Sequence, residues 1–188
     1  MTDFEEISSY NIIVTINIYT SMAKKKNQKK AELQAKKSAV ETLRFQTHWG
    51  LKQLGQQDGN LFHKLVDVEV NFIAELDLAQ DLLAIKSLVE GVKQSFAVVP
   101  TLEKGVFTKS PTAVALGIAQ VNDINNIGIP LIWSEMIEKK MLTIYYPEEY
   151  RNHIIDWTKA NGYNTSTYLG RPIVKFCKLY IIIERTRA

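Results

Sequence analysis

Residues 173–184 have the sequence IVKFCKLYIIIE, in which positions 179–183 are apolar without interruption. In an extended segment of this kind both faces are hydrophobic. Strands with two apolar faces lie inside a sheet that is covered on both sides. We therefore predict one strand over 173–184 at the centre of the fold, with Cys177 buried within it.

The residues before this strand predict a parallel crossover. Residues 142–146 suit a short buried strand, and Pro147 with Glu148 and Glu149 suits the start of a helix that Gly162 ends. A strand, a helix and a second strand in this order can form a parallel unit within one sheet. The chain is therefore predicted to be an α/β or α+β protein, a single layered domain with a mixed sheet.

Hydrophobic periodicity predicts the other elements. Residues 10–19 and 64–73 alternate apolar and polar side chains, which is typical of strands. Apolar residues recur every three or four positions from Leu78 to Phe96, behind a capping box of Asp77 and Gln80, which is typical of a helix. The remaining predictions are a basic helix over 31–54, a turn over 56–60, a short hairpin over 98–107, a helix over 110–121 that Ser110 and Pro111 begin, and a strand over 129–133.

The composition is that of an ordinary globular domain. The chain has 188 residues, of which 46% are hydrophobic and 23% are charged, and this suits one core. We predict one domain over 1–188, with a basic helical arm at 23–52 and a compact core at 53–188. The single cysteine excludes an intrachain disulfide and a cysteine-based zinc site. Acidic residues precede the first apolar run, unlike in a secretory signal, so we expect a cytoplasmic or virion location.

Positive charge is concentrated in the arm. Residues 23–52 hold nine basic residues against Glu32 and Glu41, a net charge of +7, whereas residues 53–170 sum to −5. A dense lysine run binds phosphates by releasing condensed counterions and does not read base sequence. An acidic protein partner and a simple solvated helix are the alternatives. The predicted nucleic-acid-binding residues of the arm are Lys24, Lys25, Lys26, Lys29, Lys30, Lys36, Lys37 and Arg44.

A polar segment near the C-terminus is a second candidate contact surface. Residues 163–171, YNTSTYLGR, have the polar composition of an accessible loop. Tyrosine rings and an arginine in such a loop can stack on single-stranded bases. Tyr163, Tyr168 and Arg171 are therefore added to the predicted nucleic-acid-binding residues.

Candidate catalytic residues are few. On the predicted strand, Asp67 and Glu69 would project from one face about 7 Å apart, a spacing at which two carboxylates can share a divalent metal ion. Asn71 stands where such nucleases commonly have a lysine, and the wet face of an edge strand explains these residues more simply. The histidines have no evident nucleophile partner, and no glycine-rich phosphate loop is present. No cofactor and no bound metal are expected.

Three functions follow from these patterns. The first is a non-enzymatic binding protein whose basic helix contacts nucleic acid or another polyanion, as an accessory factor of a phage or mobile element would. The second is a structural subunit of a virion or larger complex, forming homo- or hetero-oligomers with its first strand against a neighbour's sheet. The third is a metal-dependent nuclease that uses Asp67 and Glu69. A binding protein is favoured over an enzyme, and no membrane partner is expected.

Overall fold

The structure is a computed structural model that describes residues 3–56, 61–100, 110–118 and 140–186, with side chains described from residue 24 onward. The chain divides into two compact units, Met1–Ser38 and Ala39–Ala188, and the first helix belongs to both. The elements are α1 (Asp3–Gln53), α2 (Leu61–Glu75), α3 (Ala79–Phe96), α4 (Pro111–Ala115), β1 (Met141–Pro147), α5 (Glu148–Ala160), β2 (Asn164–Tyr168), β3 (Arg171–Lys175) and β4 (Tyr180–Thr186).

The four strands form one mixed sheet in the order β1-β4-β3-β2. β1 and β4 are parallel, and the other neighbouring strands are antiparallel. β4 lies between two strands, and its residues Ile181, Ile182 and Ile183 are all buried. The predicted α+β domain with a mixed sheet is confirmed, and so is the interior position of the isoleucine run.

The prediction of one strand over 173–184 was wrong, because a turn divides it into β3 and β4. The N–H of Phe176 donates to the carbonyl of Leu179 at 2.9 Å and closes this turn. Cys177 lies in the turn and is exposed, so the prediction of a buried thiol was also wrong. β2 and β3 form a hairpin between α5 and β4, and the crossover from β1 to β4 is therefore longer than the single helix that we predicted.

A buried carboxylate explains why the chain turns at this point. Asp81 of α3 is 1% exposed. Its Oδ1 atom accepts the backbone N–H groups of Lys178 and Leu179 at 2.7 and 2.9 Å. Because these two N–H groups point at a side chain, they are not available to a neighbouring strand. The turn is thus fixed by a residue almost 100 positions earlier in the chain.

The prediction of a strand over 64–73 was wrong, because these residues lie in α2. The alternating apolar residues occupy two faces of the helix. Val66 and Val70 are buried in the core, whereas Val68 and Phe72 are exposed. The buried positions recur at helical spacing, as expected for a face that packs on a core; they are His63, Val66, Glu69, Val70 and Ile73.

The prediction of a strand over 10–19 was also wrong, because this segment is part of α1. β-branched residues lower helix propensity only slightly, by a few tenths of a kcal/mol each. Neither glycine nor proline occurs between Asp3 and Trp49, so nothing in the sequence stops the helix. The prediction of a helix over 31–54 is confirmed to Gln53, and the chain turns at Gly55, whose φ is +77°.

The other helices follow the sequence closely, apart from their caps. α3 is confirmed, but Leu78 is its N-cap and no side chain caps it, so the predicted capping box is absent. Ser110 caps α4 as predicted, although α4 ends at Ala115 rather than near residue 121. α5 is confirmed. Residues 57–60 of the predicted turn, residues 101–107 of the predicted hairpin and the predicted strand over 129–133 lie outside the described residues.

The core of the second unit joins the helices to the sheet. Close approach at two glycines shows how tightly the helices pack. A Cβ at Gly50 of α1 would lie 1.8 Å from the carbonyl oxygen of Ala115, and one at Gly91 of α3 would lie 2.5 Å from the ring of Trp157 in α5. In the described part of the chain, no helix has the length and apolar character needed to cross a membrane.

Candidate functional site

A polar cluster lies along the contact between α1 and α2, and we call it the histidine seam: Arg44, His48, His63, Asp67 and Asn71. The guanidinium of Arg44 donates to Asp67 Oδ1 at 2.5 Å and to Asn71 Oδ1 at 2.7 Å. The Nε2 atom of His48 lies 3.0 Å from the same Asp67 oxygen. The Nδ1 atoms of His48 and His63 are 2.6 Å apart, and the planes of the two rings differ by 15°.

The hydrogen bonds of the seam set the protonation of His48. A carboxylate can only accept, so Nε2 of His48 must carry a proton and donate it to Asp67. One proton then lies between the two Nδ1 atoms, because the bond requires one donor and one acceptor. Burial by itself would raise the pKa of Asp67, but the hydrogen bonds and charges of His48 and Arg44 outweigh it and hold that pKa below its usual value of 3.8.

The seam connects α1 and α2 through side-chain hydrogen bonds. Both ring nitrogens of His48 are engaged, one by Asp67 and one by His63, so His48 has no nitrogen left to activate a nucleophile. Arg44, one of the predicted nucleic-acid contacts, donates to two side chains of α2. The seam therefore aligns α1 against α2.

Replacing Asp67 by asparagine should make the fold less sensitive to acid. Because the pKa of Asp67 is lower in the folded chain than in the unfolded one, the ionised carboxylate stabilises the fold above about pH 3.8, and this contribution is lost as the pH falls through the folded pKa. Urea unfolding between pH 5 and pH 2 should show a steeper loss of stability for the parent than for Asp67→Asn. The difference should be about 1 kcal/mol or less, since the side chain is 45% exposed.

The matched control for this titration is Asp156→Asn, which changes an exposed carboxylate of α5. Its unfolding free energy should follow the pH dependence of the parent. If all three chains lose stability in parallel, the seam does not hold Asp67 in its ionised form.

The structure separates Asp67 from Glu69. The two residues lie on a helix, not a strand, and successive positions on a helix point about 100° apart. Asp67 contacts Arg44 and His48, whereas Glu69 is buried and accepts hydrogen bonds from Ser110 Oγ and Thr112 N. The geometry on which the shared metal site depended was therefore wrong. Among the described residues, no group of three or more histidine, cysteine or carboxylate side chains is arranged to hold a metal ion.

The predicted lysine contacts lie on α1 and face solvent. Lys24, Lys25, Lys26, Lys29, Lys30 and Lys37 are exposed. Lys36 is half-buried and lies 3.1 Å from Glu32, one helical turn away. Seven lysines against one glutamate give residues 24–37 a net charge of +6. At a rise of about 1.5 Å per residue, this charge is spread over roughly 20 Å of helix.

The predicted contact loop is a hairpin, and only part of it is accessible. Residues 164–168 are the edge strand β2, and the chain turns at Leu169 and Gly170 into β3. Tyr168 and Arg171 pair across the tip and are exposed, as is Leu169 at 84%. Tyr163 lies at the far end of β2 beside Trp157, at 5.8 Å between ring centroids, where burial raises the pKa of its hydroxyl. Of the three predicted contacts, Tyr168 and Arg171 are therefore exposed at the tip, whereas Tyr163 is half-buried.

Large apolar side chains cover the solvent side of α1 and α2, and we call this surface the outward face. Phe45 and Trp49 stack on the side of α1 opposite the buried Leu43, Thr47 and Leu51. On α2, residues at spacings of four, three and four lie opposite the core. The exposed fractions are 69% for Phe45, 57% for Trp49, 67% for Leu61, 66% for Val68 and 37% for Phe72, with Leu65 half-buried between them.

Neither the histidine seam nor the outward face was predicted from the sequence. The signal for the seam is a symmetry about the turn at residues 55–56, because Arg44 and Asp67 are equally distant from it, as are His48 and His63. In two antiparallel helices, residues at equal distances from the connecting turn lie side by side. The signal for the outward face is the 4-3-4 spacing of apolar residues from Leu61 to Phe72, which the strand prediction for 64–73 concealed.

Comparison with known proteins adds no relative from which a function could be transferred. No protein-family model matches the sequence, and no curated protein matches it either. The proposed function therefore depends on the residues of this chain alone.

Proposed function

We propose that this chain is a non-enzymatic binding protein that contacts the phosphate backbone of nucleic acid through the lysines of α1. The observation that carries the proposal is the row of exposed lysines between residues 24 and 37 on a continuous helix. On this helix Lys26, Lys30 and Lys37 share one face, so the ammonium groups of that face can reach successive phosphates of one strand. Another polyanion with similarly spaced charges would bind by the same contacts.

The residue type favours binding without sequence recognition. Lysine is a compact, hydrated point charge, whereas arginine forks onto guanine edges and phosphates. The only arginine of the arm, Arg44, is held in the histidine seam. Tyr168 and Arg171 at the hairpin tip supply one aromatic ring and one guanidinium as a further contact for a flexible strand.

Replacing three arm lysines should remove phosphate contacts. The affinity for nucleic acid should therefore fall, and so should its dependence on salt. Each neutralised phosphate contributes about 0.9 to the slope of log affinity against log salt on duplex DNA. If four phosphates are contacted, affinity falls roughly 100-fold between 50 and 200 mM salt. Fluorescence anisotropy of labelled single- and double-stranded DNA and RNA should show this slope for the parent. Lys26→Gln, Lys30→Gln and Lys37→Gln together should reduce it by two to three units, since these three exposed lysines share one face of the helix and glutamine preserves the helix.

A charge-matched control distinguishes the arm from the overall charge of the protein. Lys64→Gln, Lys93→Gln and Lys159→Gln remove the same charge from exposed positions of α2, α3 and α5. This control should keep the salt slope of the parent. Equal losses in the two triple variants, or no binding by the parent at 50 mM salt, would contradict the proposal. Stronger competition by heparin than by nucleic acid would assign the arm to another polyanion.

A further inference from the structure

The outward face exposes about as much apolar surface as the largest apolar patch of a monomeric protein. If a large apolar side chain contributes about 200 Å² when fully exposed, the five exposed residues present roughly 500 to 600 Å². That value is at the upper end for the largest patch of a monomeric protein. It is also about two-thirds of the roughly 800 Å² that each partner contributes to a standard protein interface. We call the apolar residues of this face the α1 stripe (Phe45 and Trp49) and the α2 stripe (Leu61, Leu65, Val68 and Phe72). The polar side chains of the histidine seam lie between the two stripes and can contribute the remaining area.

The two stripes form one continuous surface. Arg44 contacts Asp67 and Asn71, while His48 contacts Asp67 and His63, so α1 and α2 run antiparallel with a fixed register. This register places Phe45 level with the end of α2 that carries Val68 and Phe72. Trp49 is level with the end that carries Leu61 and Leu65. A partner that covers one stripe therefore also meets the other.

The charges at the ends of the α1 stripe fit a second copy of the same chain. Glu41 lies one turn before Phe45, and Lys52 lies one turn after Trp49, so the sequence along this face is acidic, aromatic, aromatic, basic. Both charged residues are exposed. When two such helices pack antiparallel about a two-fold axis, Glu41 of each copy faces Lys52 of the other, and Phe45 faces Trp49. The surface is thus self-complementary, which a two-fold symmetric dimer requires.

The apolar residues of the α2 stripe also suit a second copy of the chain as the partner. Its residues recur at spacings of four, three and four, which is the repeat by which one helix packs its side chains into the gaps of another. A helix with this repeat is complementary to an antiparallel copy of itself. The spacing of the stripe and the charges at the ends of the α1 stripe therefore favour the same partner.

We propose that the chain forms a homodimer through the outward face of α1 and α2, with the helices of the two copies antiparallel. This dimerisation is separate from polyanion binding by the arm, because it uses residues 41–72 and none of the lysines between 24 and 37. It gives the protein two basic arms per assembly.

Sedimentation velocity of the full-length chain between 1 and 100 μM should test the dimer. The parent should convert from the monomer mass of 21.4 kDa to twice that mass over this range. Trp49→Glu and Val68→Glu should each raise the dimer dissociation constant at least tenfold, because both place a charge in the apolar contact. The matched control is Leu169→Glu, which changes an exposed leucine at the hairpin tip and should leave the dissociation constant within threefold of the parent.

A charge exchange tests the antiparallel pairing itself. Glu41→Lys and Lys52→Glu should each weaken the dimer about tenfold, since each opposes like charges twice by symmetry. The double variant should return to within threefold of the parent. A parent that stays monomeric at 100 μM, or a dimer that Trp49→Glu and Val68→Glu leave unchanged, would overturn the proposal. So would a monomeric chain that loses nucleic-acid affinity in Trp49→Glu, because the face would then bind bases.

Discussion

Glu69→Ala should lower the free energy of unfolding by about 3 kcal/mol. Glu69 is 1% exposed, and its carboxylate connects α2 to α4. One oxygen accepts the hydroxyl of Ser110 at 2.6 Å, and the other accepts the backbone N–H of Thr112 at 2.8 Å. Alanine leaves both donors buried without this acceptor. It also leaves a cavity the size of the removed side chain.

The effect on α4 makes this substitution more harmful than an ordinary core truncation. α4 has five residues, all of them buried, so it is too short to be stable without its contacts. Ser110 caps the helix by accepting the N–H of Ala113, and Glu69 orients that hydroxyl. Loss of the carboxylate therefore weakens the N-cap of α4 as well as the hydrogen bonds that connect α4 to α2.

The change in Tm on thermal unfolding tests this prediction directly. For a chain of this length, about 3 kcal/mol corresponds to a fall in Tm of roughly 6 to 12 °C. Glu75→Ala, at an exposed position of the same helix, is the matched control and should change the unfolding free energy by less than about 0.5 kcal/mol. Equal Tm values for the two variants would show that Glu69 does not hold α4.

The fold could be predicted from sequence where one pattern dominates. The isoleucine run of β4 has apolar residues at every position, and only an interior strand or a buried helix accommodates that. α3 has a regular helical stripe and α5 has clear terminal signals, so both were predicted correctly. The turn between β3 and β4 was missed because its partner is Asp81, and a contact over almost 100 residues leaves no local pattern.

α2 shows why periodicity failed elsewhere. A helix that is apolar on two opposite faces places hydrophobic residues at nearly every second position, which imitates a strand. Val66 and Val70 face the core, whereas Val68 and Phe72 belong to the outward face. The second apolar face of α2 therefore explains the wrong strand prediction, and the same face forms part of the proposed dimer contact. Asp67 and Glu69 were assigned to one face for the same reason, and the helix separates them.

The candidate nucleic-acid contacts could be predicted from the sequence to different degrees. The exposed lysines of α1 could be predicted because charge density alone identifies them. Arg44 could not be separated from them, because its engagement depends on the register of α1 against α2. Tyr163 was grouped with Tyr168 by composition, but strand β2 places the two rings at opposite ends of a hairpin arm.

Gly50→Ala should destabilise the protein by about 3 kcal/mol, although helix propensity alone predicts the opposite sign. In a helix interior, alanine is more favourable than glycine by about 1 kcal/mol. However, a Cβ at position 50 would lie 1.8 Å from the carbonyl oxygen of Ala115 and 2.7 Å from its carbonyl carbon. These are backbone atoms, so no rotamer change relieves the overlap and α4 must move away from α1.

Chemical denaturation can establish the sign of this effect. The parent and Gly50→Ala should differ in the midpoint of urea unfolding but not in slope, because the overlap changes stability rather than the surface exposed on unfolding. Gln53→Ala, at an exposed position three residues later in α1, should stay within about 0.5 kcal/mol of the parent. A stabilised Gly50→Ala variant would mean that α1 and α4 do not pack this closely.

Combining the two substitutions tests whether they act on the same contact. Glu69 of α2 holds α4 through hydrogen bonds, and Gly50 of α1 has no side chain, which lets α4 pack closely against α1. Each substitution therefore displaces the same five residues. Once Glu69→Ala has released α4, Gly50→Ala has less left to disrupt. The double variant should therefore lose about 1 to 2 kcal/mol less than the two single losses added together. Strict additivity would show that the two residues stabilise separate parts of the fold, and α4 would then not be the link between them.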